Sequence, residues 1–523
     1  MNSFNRRRFL QTTGAAALTA PFAGSLLLPD AWAQSSTLTI AYNVALPSWD
    51  PTTGPSAVNS TIQSFYKSVF DSFIDQEPDL KLKPGIFTKW GWTPDKGKIQ
   101  LEVRKGAFWH DGTPITPEDV VWSLERAGNK DGGNPIQFVW GKIGNFKIEG
   151  NTVTADVKEF EPTLFKWMAF LTGYILPKKA YTAAGKDGWE QKPIGSGPYM
   201  VEKFERNAYV RLKRFDKYWG PKPAFETVVF KMVPDAGSRV AEIENGGSDL
   251  TLDVPYDEYK RLTSKAGLTG EATAVSDIGM IFISDREPML DANVRKAMAH
   301  AIDKKTIVDK LLLGYGTPID TLQAPQYDAF NANTKVKYDP ALAKKLLAKA
   351  GYSTSKPVKF TIQTTRGFKP KDYEMIQAVV GMWKKVGIQA TIETYEIAKH
   401  YELRARHELA PAAFYNWGNS IGDPSTSTGF AMFRHSPHSG WRTEEMDKFI
   451  GPLWGGEGRS QAHRRLQSGG PTHRGERAGD SLAPVCTTGG IQEDHQVLAA
   501  HRRLHSAAID STRLNAGLRA TRG

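Results

Sequence analysis

Residues 103–126 read VRKGAFWHDGTPITPEDVVWSLER, and this stretch decides the fold because it specifies a strand end, a turn and a helix start within one short window. We predict a strand from Lys98 to Val103, followed by a turn in the residues HDGTP, which favour chain reversals. Thr116 is predicted to cap a helix whose first position is Pro117, and the acidic pair that follows faces the positive end of that helix. The stretch therefore carries information about folding rather than about chemistry.

This order of elements resembles the signature of the extracytoplasmic solute-binding proteins that serve peptide, opine and nickel ABC importers. Other segments also match patterns of that family: LKPGIFTKWGW at residues 82–92, GSGPY at 195–199, RFDKYW at 214–219 and DANVRKAM at 291–298. The resemblance extends from about residue 38 to residue 451. It implies an α/β fold with the two-lobed, three-domain architecture of periplasmic binding proteins and a ligand cleft between the lobes.

The resemblance also implies how the chain is divided. Lobe 1 is expected to be a split domain of residues 34–75 and about 190–270, interrupted by an inserted subdomain of residues 76–189. Lobe 2 is expected at residues 271–454. A cleft between two lobes suits a small polar solute, because closure removes the solute from water on all sides.

The first 33 residues are typical of an export signal. Residues 5–11 read NRRRFLQ and precede a mildly apolar run from Gly14 to Leu28 and a small-residue cleavage site, AWA, at residues 31–33. The arginines resemble a twin-arginine signal; an ordinary secretory signal and a short uncleaved anchor are the alternatives. Cys486 is the only cysteine, so no cysteine follows the apolar run to accept a lipid. We therefore expect a protein of the Gram-negative periplasm.

The formal net charge of +11 does not indicate a nucleic-acid partner. Removing the export signal removes three arginines, and the remaining lysines alternate with acids along predicted helices at Asp339–Lys349 and Asp372–Lys385. Such alternation is typical of solvated helix faces. The distribution of charge therefore argues against a basic surface that binds nucleic acid.

Periodicity predicts several further elements. Helices are predicted over residues 59–73, 163–171 and 237–245, and a hairpin around Asn151. The run from Phe360 to Glu393 is interpreted as strand, helix and strand, and the two strands are expected to be parallel. Tyr338-Asp339-Pro340 predicts a helix capped by Asp339 with Pro340 at its first position.

The last 69 residues, Gly455–Gly523, differ in composition from the rest of the chain because they contain no Lys, Phe, Tyr or Trp. One interpretation is a disordered basic appendage. We favour a change of reading frame in the gene, because a shifted reading from His463 onward can encode a helix, the residues IPL and a strand that the family resemblance leads one to expect there. The tail is therefore interpreted as aberrant or disordered, and we expect a chain that is less stable near this end.

No set of residues predicts catalysis or metal binding. There is no HExxH motif and no Cys/His cluster with metal spacing, and Cys486 lies in the aberrant tail. The adjacent His110 and Asp111 are interpreted as turn residues rather than an acid/base pair. His435 and His438 are interpreted as solvated loop residues rather than metal ligands.

The best candidate for ligand contact is residues 414–424, FYNWGNSIGDP, whose aromatic and amide side chains can stack and donate hydrogen bonds. In peptide importers of the resembled family this segment reads GWtgDnGDP, and its first aspartate pairs with the α-ammonium group of the peptide. Ser420 stands at that position here, so the α-ammonium group of a zwitterionic peptide would lack this carboxylate partner. Arg366 is a candidate for binding an anionic group, with a surface arginine as the alternative. The candidate ligand-binding residues are Arg366, Tyr415, Asn416, Trp417, Ser420, Asp423 and, as weaker candidates, Tyr42 and Asn43.

These observations predict the solute-binding component of an ABC importer. It is expected to act as a monomer without cofactor or metal, and to deliver a peptide-like, opine-like or carboxylated small molecule to membrane permease subunits. The alternatives are an exported enzyme that acts on cell-wall or glycan material and a solute sensor coupled to a chemoreceptor. A carboxylate pair in the cleft would favour the enzyme, and the sequence identifies none.

Overall fold

Four β-sheets organise the part of the chain that the computed structural model describes, which comprises residues 36–450 except 276, 326, 328, 420, 435, 437 and 438, together with residues 497–500. The strands in chain order are β1 (Thr37–Tyr42), β2 (Ile74–Gln76), β3 (Leu82–Pro84), β4 (Phe87–Trp92), β5 (Lys98–Val103), β6 (Ile143–Glu149), β7 (Thr152–Val157), β8 (Tyr199–Glu205), β9 (Tyr209–Arg214), β10 (Thr227–Met232), β11 (Leu250–Thr251), β12 (Leu268–Glu271), β13 (Ile278–Ile283), β14 (Val358–Thr364), β15 (Ile388–Thr394), β16 (Ala412–Trp417) and β17 (Val497–Ala500).

Helices connect and cover these sheets. They are α1 (Gln63–Val69), α2 (Pro117–Gly128), α3 (Gln137–Trp140), α4 (Leu164–Trp167), α5 (Lys178–Gln191), α6 (Ala236–Glu244), α7 (Tyr256–Thr263), α8 (Ala292–His300), α9 (Lys304–Thr306), α10 (Pro340–Lys349), α11 (Asp372–Lys384), α12 (Ile397–Ala405), α13 (Phe430–Met432) and α14 (Glu444–Ile450). Short 3₁₀ turns precede α1, and α5 changes direction at Gly185, whose φ is positive. Among the described residues, no helix is long and apolar enough to cross a membrane.

The lobe-1 sheet has seven strands in the order β12-β17-β11-β1-β10-β9-β8. Its central strand β1 is parallel to both β10 and β11, so the carboxyl ends of these three strands meet at one edge. Helix α1 packs a wholly buried face on this sheet, with Phe65 against Phe230 at a ring distance of 4.6 Å. Strand β17 lies between β11 and β12 and is antiparallel to both, whereas residues 451–496 and 501–523 lie outside the described part of the chain.

The inserted subdomain is built on an antiparallel sheet in the order β4-β5-β7-β6. The predicted strand from Lys98 to Val103 and the predicted hairpin around Asn151 are both confirmed as β5 and as β6 with β7. The predicted cap of α2 is confirmed as well: Thr116 Oγ1 accepts a hydrogen bond from Asp119 N, and the Asp119 carboxylate accepts one from Thr116 N. Asp119 also accepts a hydrogen bond from Trp109 Nε1 at 3.2 Å, which ties the turn to the helix start. Such a cap stabilises a helix by about 1 kcal/mol.

The lobe-2 sheet has the order β13-β16-β14-β15. Strand β14, helix α11 and strand β15 form the predicted strand-helix-strand unit, and β14 pairs in parallel with β15. The predicted cap of α10 is also confirmed, because Asp339 accepts a hydrogen bond from Leu342 N and Pro340 is the first helical residue. Trp383 on α11 is fully buried, and its indole donates to Met298 O, which joins α11 to α8.

Two predicted helices are shorter than expected. Carbonyl groups at their ends accept hydrogen bonds from other parts of the chain instead of from the next helical turn. The helix predicted over 59–73 is regular only in α1, since Val69 O accepts a hydrogen bond from Gly197 N at 2.9 Å instead of continuing the helix. The helix predicted over 163–171 is α4 alone, and Met168 O accepts from Ile74 N. The segment of residues 82–92 divides into β3 and β4 around Gly85. A Cβ atom at Gly85 would lie 2.9 Å from Asp75 N.

His110 is a structural residue in this fold, as the sequence predicts. Its Nδ1 accepts a hydrogen bond from Gly195 N at 3.1 Å, so Nε2 carries the proton that is donated to Gly197 O at 3.0 Å. Burial lowers the pKa of His110 to about 4, which keeps the ring neutral. The turn of the signature stretch thus holds the GSGPY segment against the end of α1.

Candidate functional site

Polar groups lie at the ends of strands in both lobes of the fold. In lobe 2, the carboxyl ends of β14 and β16 meet the amino end of β13, because β16 is parallel to β14 and antiparallel to β13. In lobe 1, the corresponding edge is formed by the ends of β1 and β11. Burial raises the pKa of Tyr42 well above its usual range; Asp253 of lobe 1 raises it further and Lys369 of lobe 2 lowers it. Asp253 of lobe 1 and Lys369 of lobe 2 thus both lie close enough to Tyr42 to act on its hydroxyl group.

On the lobe-1 edge, Asn43 and Asp253 form a polar pair. Asn43 Nδ2 donates a hydrogen bond to Asp253 Oδ2 at 2.7 Å. Asp253 has a left-handed backbone with φ of +53°, and the buried Arg239 holds it by donating to Asp253 O at 3.2 Å. The same guanidinium donates to Val233 O and Pro234 O, so it joins the ends of β10 and β11.

On the lobe-2 edge, Lys369 and Asp277 form an ion pair of 3.1 Å that is largely shielded from solvent. Asp277 directly precedes β13, and a Cβ atom at Gly418 would lie 2.5 Å from its carboxylate. This carboxylate therefore lies against the start of the predicted ligand loop. Because both charges come from the same lobe, their pair leaves this edge close to neutral.

Asp372 shapes the loop that carries Lys369. This buried carboxylate accepts hydrogen bonds from the backbone of Gly367, Phe368 and Lys369 at 2.9 to 3.2 Å and from Thr365 Oγ1 at 2.8 Å. A single side chain thus binds three consecutive backbone N–H groups and one hydroxyl group at the end of β14. The loop conformation is set by lobe 2 itself, before any solute is present.

Arg366 lies in the same loop but points elsewhere in this structure. Its side chain is exposed, and its guanidinium stacks on the Tyr373 ring at 3.8 Å. The contact joins two residues that are seven positions apart in the same lobe. Lys369, three residues later, is the cation of this loop that lies beside Asp277.

The predicted ligand loop is ordered by its own polar groups. Asn419 Nδ2 donates to Asp423 O at 2.9 Å, and Asn419 Oδ1 accepts from Thr426 Oγ1 and from Asp423 N. Asp423 Oδ1 accepts from the backbone and hydroxyl of Ser425, and Trp417 Nε1 donates to Thr426 O at 2.9 Å. Ser420, between them, lies outside the described residues. These bonds assign Asp423 a role in shaping the loop.

An aromatic stack leads into this loop. Tyr415 lies parallel to Phe282 at a ring distance of 4.1 Å, and Trp417 lies 5.6 Å from Phe282. The Arg404 guanidinium lies over the Tyr415 and Trp417 rings at 5.3 and 5.4 Å. Burial and the Arg404 charge lower the pKa of His400, which contacts Tyr415 edge-on, to about 3. The stack belongs to the buried apolar core of lobe 2, at the start of the predicted ligand loop.

The loop also joins the lobes through apolar contacts. Ile421 is buried within the apolar core of the inserted subdomain, although it belongs to lobe 2. In return, Leu80 from the β2-β3 hairpin packs against the apolar core of lobe 2. Gly422 has a positive φ, and a Cβ atom there would lie 3.0 Å from Leu80 Cδ1. The structure therefore has lobe 2 in contact with the inserted subdomain at the predicted ligand loop.

The structure brings some of the predicted ligand residues to the cleft and uses others within the lobes. Asn43 lies at the cleft edge, and Asn416 is partly exposed on β16 beside Gly279 of β13. Tyr42 is buried, and its hydroxyl contacts Thr61 O and Ser64 Oγ within lobe 1. The roles of all these residues toward a solute stay predictions.

Sequence reasoning missed Asp253, Asp277, Lys369 and Asp372. Asp277 and Lys369 are 92 positions apart, and only the order of β13, β16 and β14 brings them together. The sequence feature that could have identified them is their position at predicted strand ends, where α/β proteins place ligand-binding groups. This feature becomes specific only once the order of the neighbouring strands is known.

Comparisons with known proteins agree with this architecture. The model of the family described as bacterial extracellular solute-binding proteins, family 5 Middle, matches residues 81–440. The dipeptide-binding protein of Escherichia coli (strain K12) is 28% identical over 401 residues, covering 71% of this chain and 74% of that protein. A glutathione-binding protein, GsiB, of Salmonella choleraesuis is 25% identical over 391 residues, covering 73% of this chain and 75% of that protein.

Solved structures share the fold. The periplasmic binding protein DppA of Helicobacter pylori in complex with the peptide STSA has a TM-score of 0.75 at 18% identity, covering 90% of this chain and 94% of that chain. NikA of Brucella suis in complex with Fe(III)-EDTA has a TM-score of 0.76 at 19% identity, covering 89% and 95%. At these identities the likeness concerns the fold.

Proposed function

The chain belongs to family 5 of the bacterial extracellular solute-binding proteins, and we propose that the cleft between its lobe edges is where it holds its solute. The protein is a periplasmic substrate-binding component of an ABC transporter, which captures a small polar solute and delivers it to a membrane permease. The observation that carries the proposal is the set of polar groups at strand ends of both lobes, Asn43 with Asp253 in lobe 1 and Lys369 with Asp277 in lobe 2. Polar groups placed on rigid strand ends can orient a solute while the lobes exclude water.

The proposed solute class is a small polar molecule of peptide-like, opine-like or carboxylated type. Relatives are named for dipeptides and for glutathione, which supports a peptide-like solute. Ser420 stands where the resembled peptide importers have an aspartate, which argues against an unmodified peptide bound in the same way. The described cleft residues include Lys369, whose ammonium can donate hydrogen bonds to a carboxylate.

We further propose export by the twin-arginine route, action as a monomer and partnership with permease subunits. The family is extracytoplasmic, and the NRRRFLQ segment supports the export route. The protein is proposed to perform no covalent chemistry and to need no cofactor. For the tail after Trp454 we propose a change of reading frame. Sequencing the gene across that codon tests this proposal, and an uninterrupted frame in independent reads would exclude it.

A solute panel tests the transport function directly. Purified full-length protein is heated with peptides, opines and organic acids, and its melting temperature is followed. A bound solute at one hundred times its Kd stabilises the folded state by about 2.7 kcal/mol. A folded protein that none of these compounds stabilises, while it cleaves a glycan or an ester, would contradict the proposal.

One short sequence pattern, which the search for catalytic motifs overlooked, gives the enzyme alternative a separate test. Residues 418–422 read GNSIG and match the short G-x-S-x-G pattern of serine hydrolases. The pattern fixes only three positions and is weak evidence alone. With p-nitrophenyl acetate as the probe, we expect the same ester hydrolysis for the native chain and the Ser420→Ala variant. A loss of hydrolysis in that variant would favour the enzyme.

A further inference from the structure

The hairpin between β2 and β3 carries a leucine where the backbone favours glycine or asparagine. Leu80 N donates to Glu77 O at 2.9 Å and Glu77 N donates to Lys81 O at 2.8 Å, so Leu80 is the last residue of a three-residue turn. Its φ is +68°, in the left-handed region that residues with a Cβ atom rarely adopt. Such a conformation persists where contacts elsewhere in the fold hold it. The turn alone therefore does not explain the leucine.

The contacts of Leu80 lie in the other lobe. The residue belongs to the inserted subdomain, but its side chain packs against the apolar core of lobe 2. Gly422, in the predicted ligand loop, also has a positive φ, of +64°. A Cβ atom at Gly422 would lie 3.0 Å from Leu80 Cδ1 and 3.4 Å from Tyr327 Cδ1. Glycine at this position thus leaves room for the leucine.

Ile421 makes the reciprocal contact. It belongs to lobe 2 and directly precedes Gly422, yet it is only 2% exposed and is buried among the core residues of the inserted subdomain. Each side therefore places one aliphatic side chain against the core of the other. Separating lobe 2 from the inserted subdomain would expose both side chains to water, which is unfavourable.

The inserted subdomain is joined to lobe 1 in a different way. Arg126 Nη2 of α2 donates to Asp50 Oδ2 at 2.5 Å, and His110 Nδ1 accepts from Gly195 N at 3.1 Å. Hydrogen bonds of this kind are directional and are lost when the partners are displaced. The exchange at the ligand loop is apolar and has no such directional requirement. We therefore expect the inserted subdomain to move with lobe 1 when the cleft opens.

We propose that Leu80 and Ile421 form a closure latch, which holds lobe 2 against the inserted subdomain in the chain without solute. The latch acts on the loop that carries the predicted ligand residues, so closing the lobes also fixes this loop. It sets the balance between the open and closed forms whichever solute the chain carries, and thus goes beyond the proposed function. The closed form is then populated before a solute binds.

Distances between spin labels test the latch without any solute. Labels are attached to Lys147→Cys on β6 and Lys359→Cys on β14, both exposed positions, in the full-length chain with Cys486→Ser. Double electron–electron resonance then reports the separation of the inserted subdomain from lobe 2. We expect Ile421→Ala to shift the distribution toward longer distances than in the labelled chain with an intact latch.

Ile99→Ala is the matched control for this variant. Ile99 is buried in the same apolar core as Ile421, but it lies on β5 within the inserted subdomain. The substitution therefore removes the same side-chain atoms from the same core and leaves the exchange between the lobes in place. We expect its distance distribution to match that of the intact latch.

Leu80→Asn is the second variant and separates a latch residue from a turn residue. Asparagine tolerates a left-handed backbone better than leucine does. If Leu80 served only the turn, this substitution would favour the hairpin and leave the distances unchanged. We expect the distances to lengthen as in Ile421→Ala, because asparagine does not replace the apolar contact. This variant also decides the question if Ile421→Ala fails to fold.

Three results would overturn the latch. They are unchanged distances in either folded latch variant, equal lengthening in Ile99→Ala, and a labelled chain with an intact latch whose distances already match those of Ile421→Ala. None of these results bears on the solute panel. A failure of that panel would overturn the proposed function and leave the latch in place.

Discussion

The signature stretch and the cleft edge differ in how completely their polar groups are used. In the signature stretch, the Thr116 and Asp119 groups cap α2, and both ring nitrogens of His110 hydrogen-bond to the GSGPY segment. At the cleft edge, Asn43 Oδ1 is buried and accepts no hydrogen bond from the described residues, and Asp253 has a left-handed backbone. The comparison teaches that the polar groups of the signature stretch hydrogen-bond within the chain, whereas the cleft edge keeps a buried acceptor that the described residues do not satisfy.

The largest expected effect lies on the signature side, at the contact between GSGPY and α1. A Cβ atom at Gly195 would lie 1.9 Å from Val69 O, which is backbone and cannot rotate away. We expect Gly195→Ala to lower the free energy of unfolding by more than about 3 kcal/mol in urea denaturation. Gly91→Ala is the control, because no atom lies within 4 Å of its added Cβ atom. Equal stability of the two variants would show that this contact is not rigid.

The second prediction concerns pH and the same signature region. Burial lowers the pKa of His110 from 6.5 to about 4, so the unfolded chain binds this proton more readily than the folded chain. The contribution is fully present above pH 6.5 and is lost as the pH falls toward 4, by about 3 kcal/mol in total. The difference in unfolding free energy between the native chain and His110→Gln should therefore shrink over that range. A difference independent of pH would contradict a buried neutral His110.

The third prediction concerns the lobe-2 side of the cleft. Lys369→Met removes the partner of Asp277, and both groups are mostly shielded from solvent. We expect a loss of about 1–3 kcal/mol in the free energy of unfolding, because a carboxylate is left without its cation. Lys359→Met on the exposed face of β14 serves as the control and should change stability by less than about 0.5 kcal/mol. Identical unfolding curves for the two variants would mean that water replaces Lys369 at no cost.

The smallest effect is expected at Arg366, the cation that the sequence favoured. Its stacking on Tyr373 at an exposed position is worth about 0.5–1 kcal/mol. Arg366→Ala should lose no more stability than that, and calorimetry with an acidic solute should show less than about a threefold change in Kd. A tenfold or larger loss of affinity would place Arg366 in the site and require its side chain to turn toward the cleft.

Local rules accounted for much of the fold, because capping and periodicity depend on neighbours in sequence. Thr116 and Asp339 were predicted as helix caps, and the parallel pairing of β14 with β15 was predicted from one strand-helix-strand pattern. The ends of α1 and α4 were not predictable in this way. Carbonyl groups at these helix ends accept hydrogen bonds from residues that are distant in the chain. One example is Val69 O, which accepts a hydrogen bond from Gly197 N.

The site was less accessible to sequence reasoning for the same physical reason. Asn43 was noticed because it follows the first strand, but its partner Asp253 is 210 positions away. Asp277 and Lys369 meet only through the order of the lobe-2 strands. Arg366 was favoured for the chemistry of its guanidinium, whereas the structure places Lys369 of the same loop beside Asp277.

The most direct test of the central claim is a crystal structure of the chain with a stabilising solute from the panel. The account predicts electron density for the solute in the cleft between the two lobe edges. Density for the solute outside this cleft would contradict it.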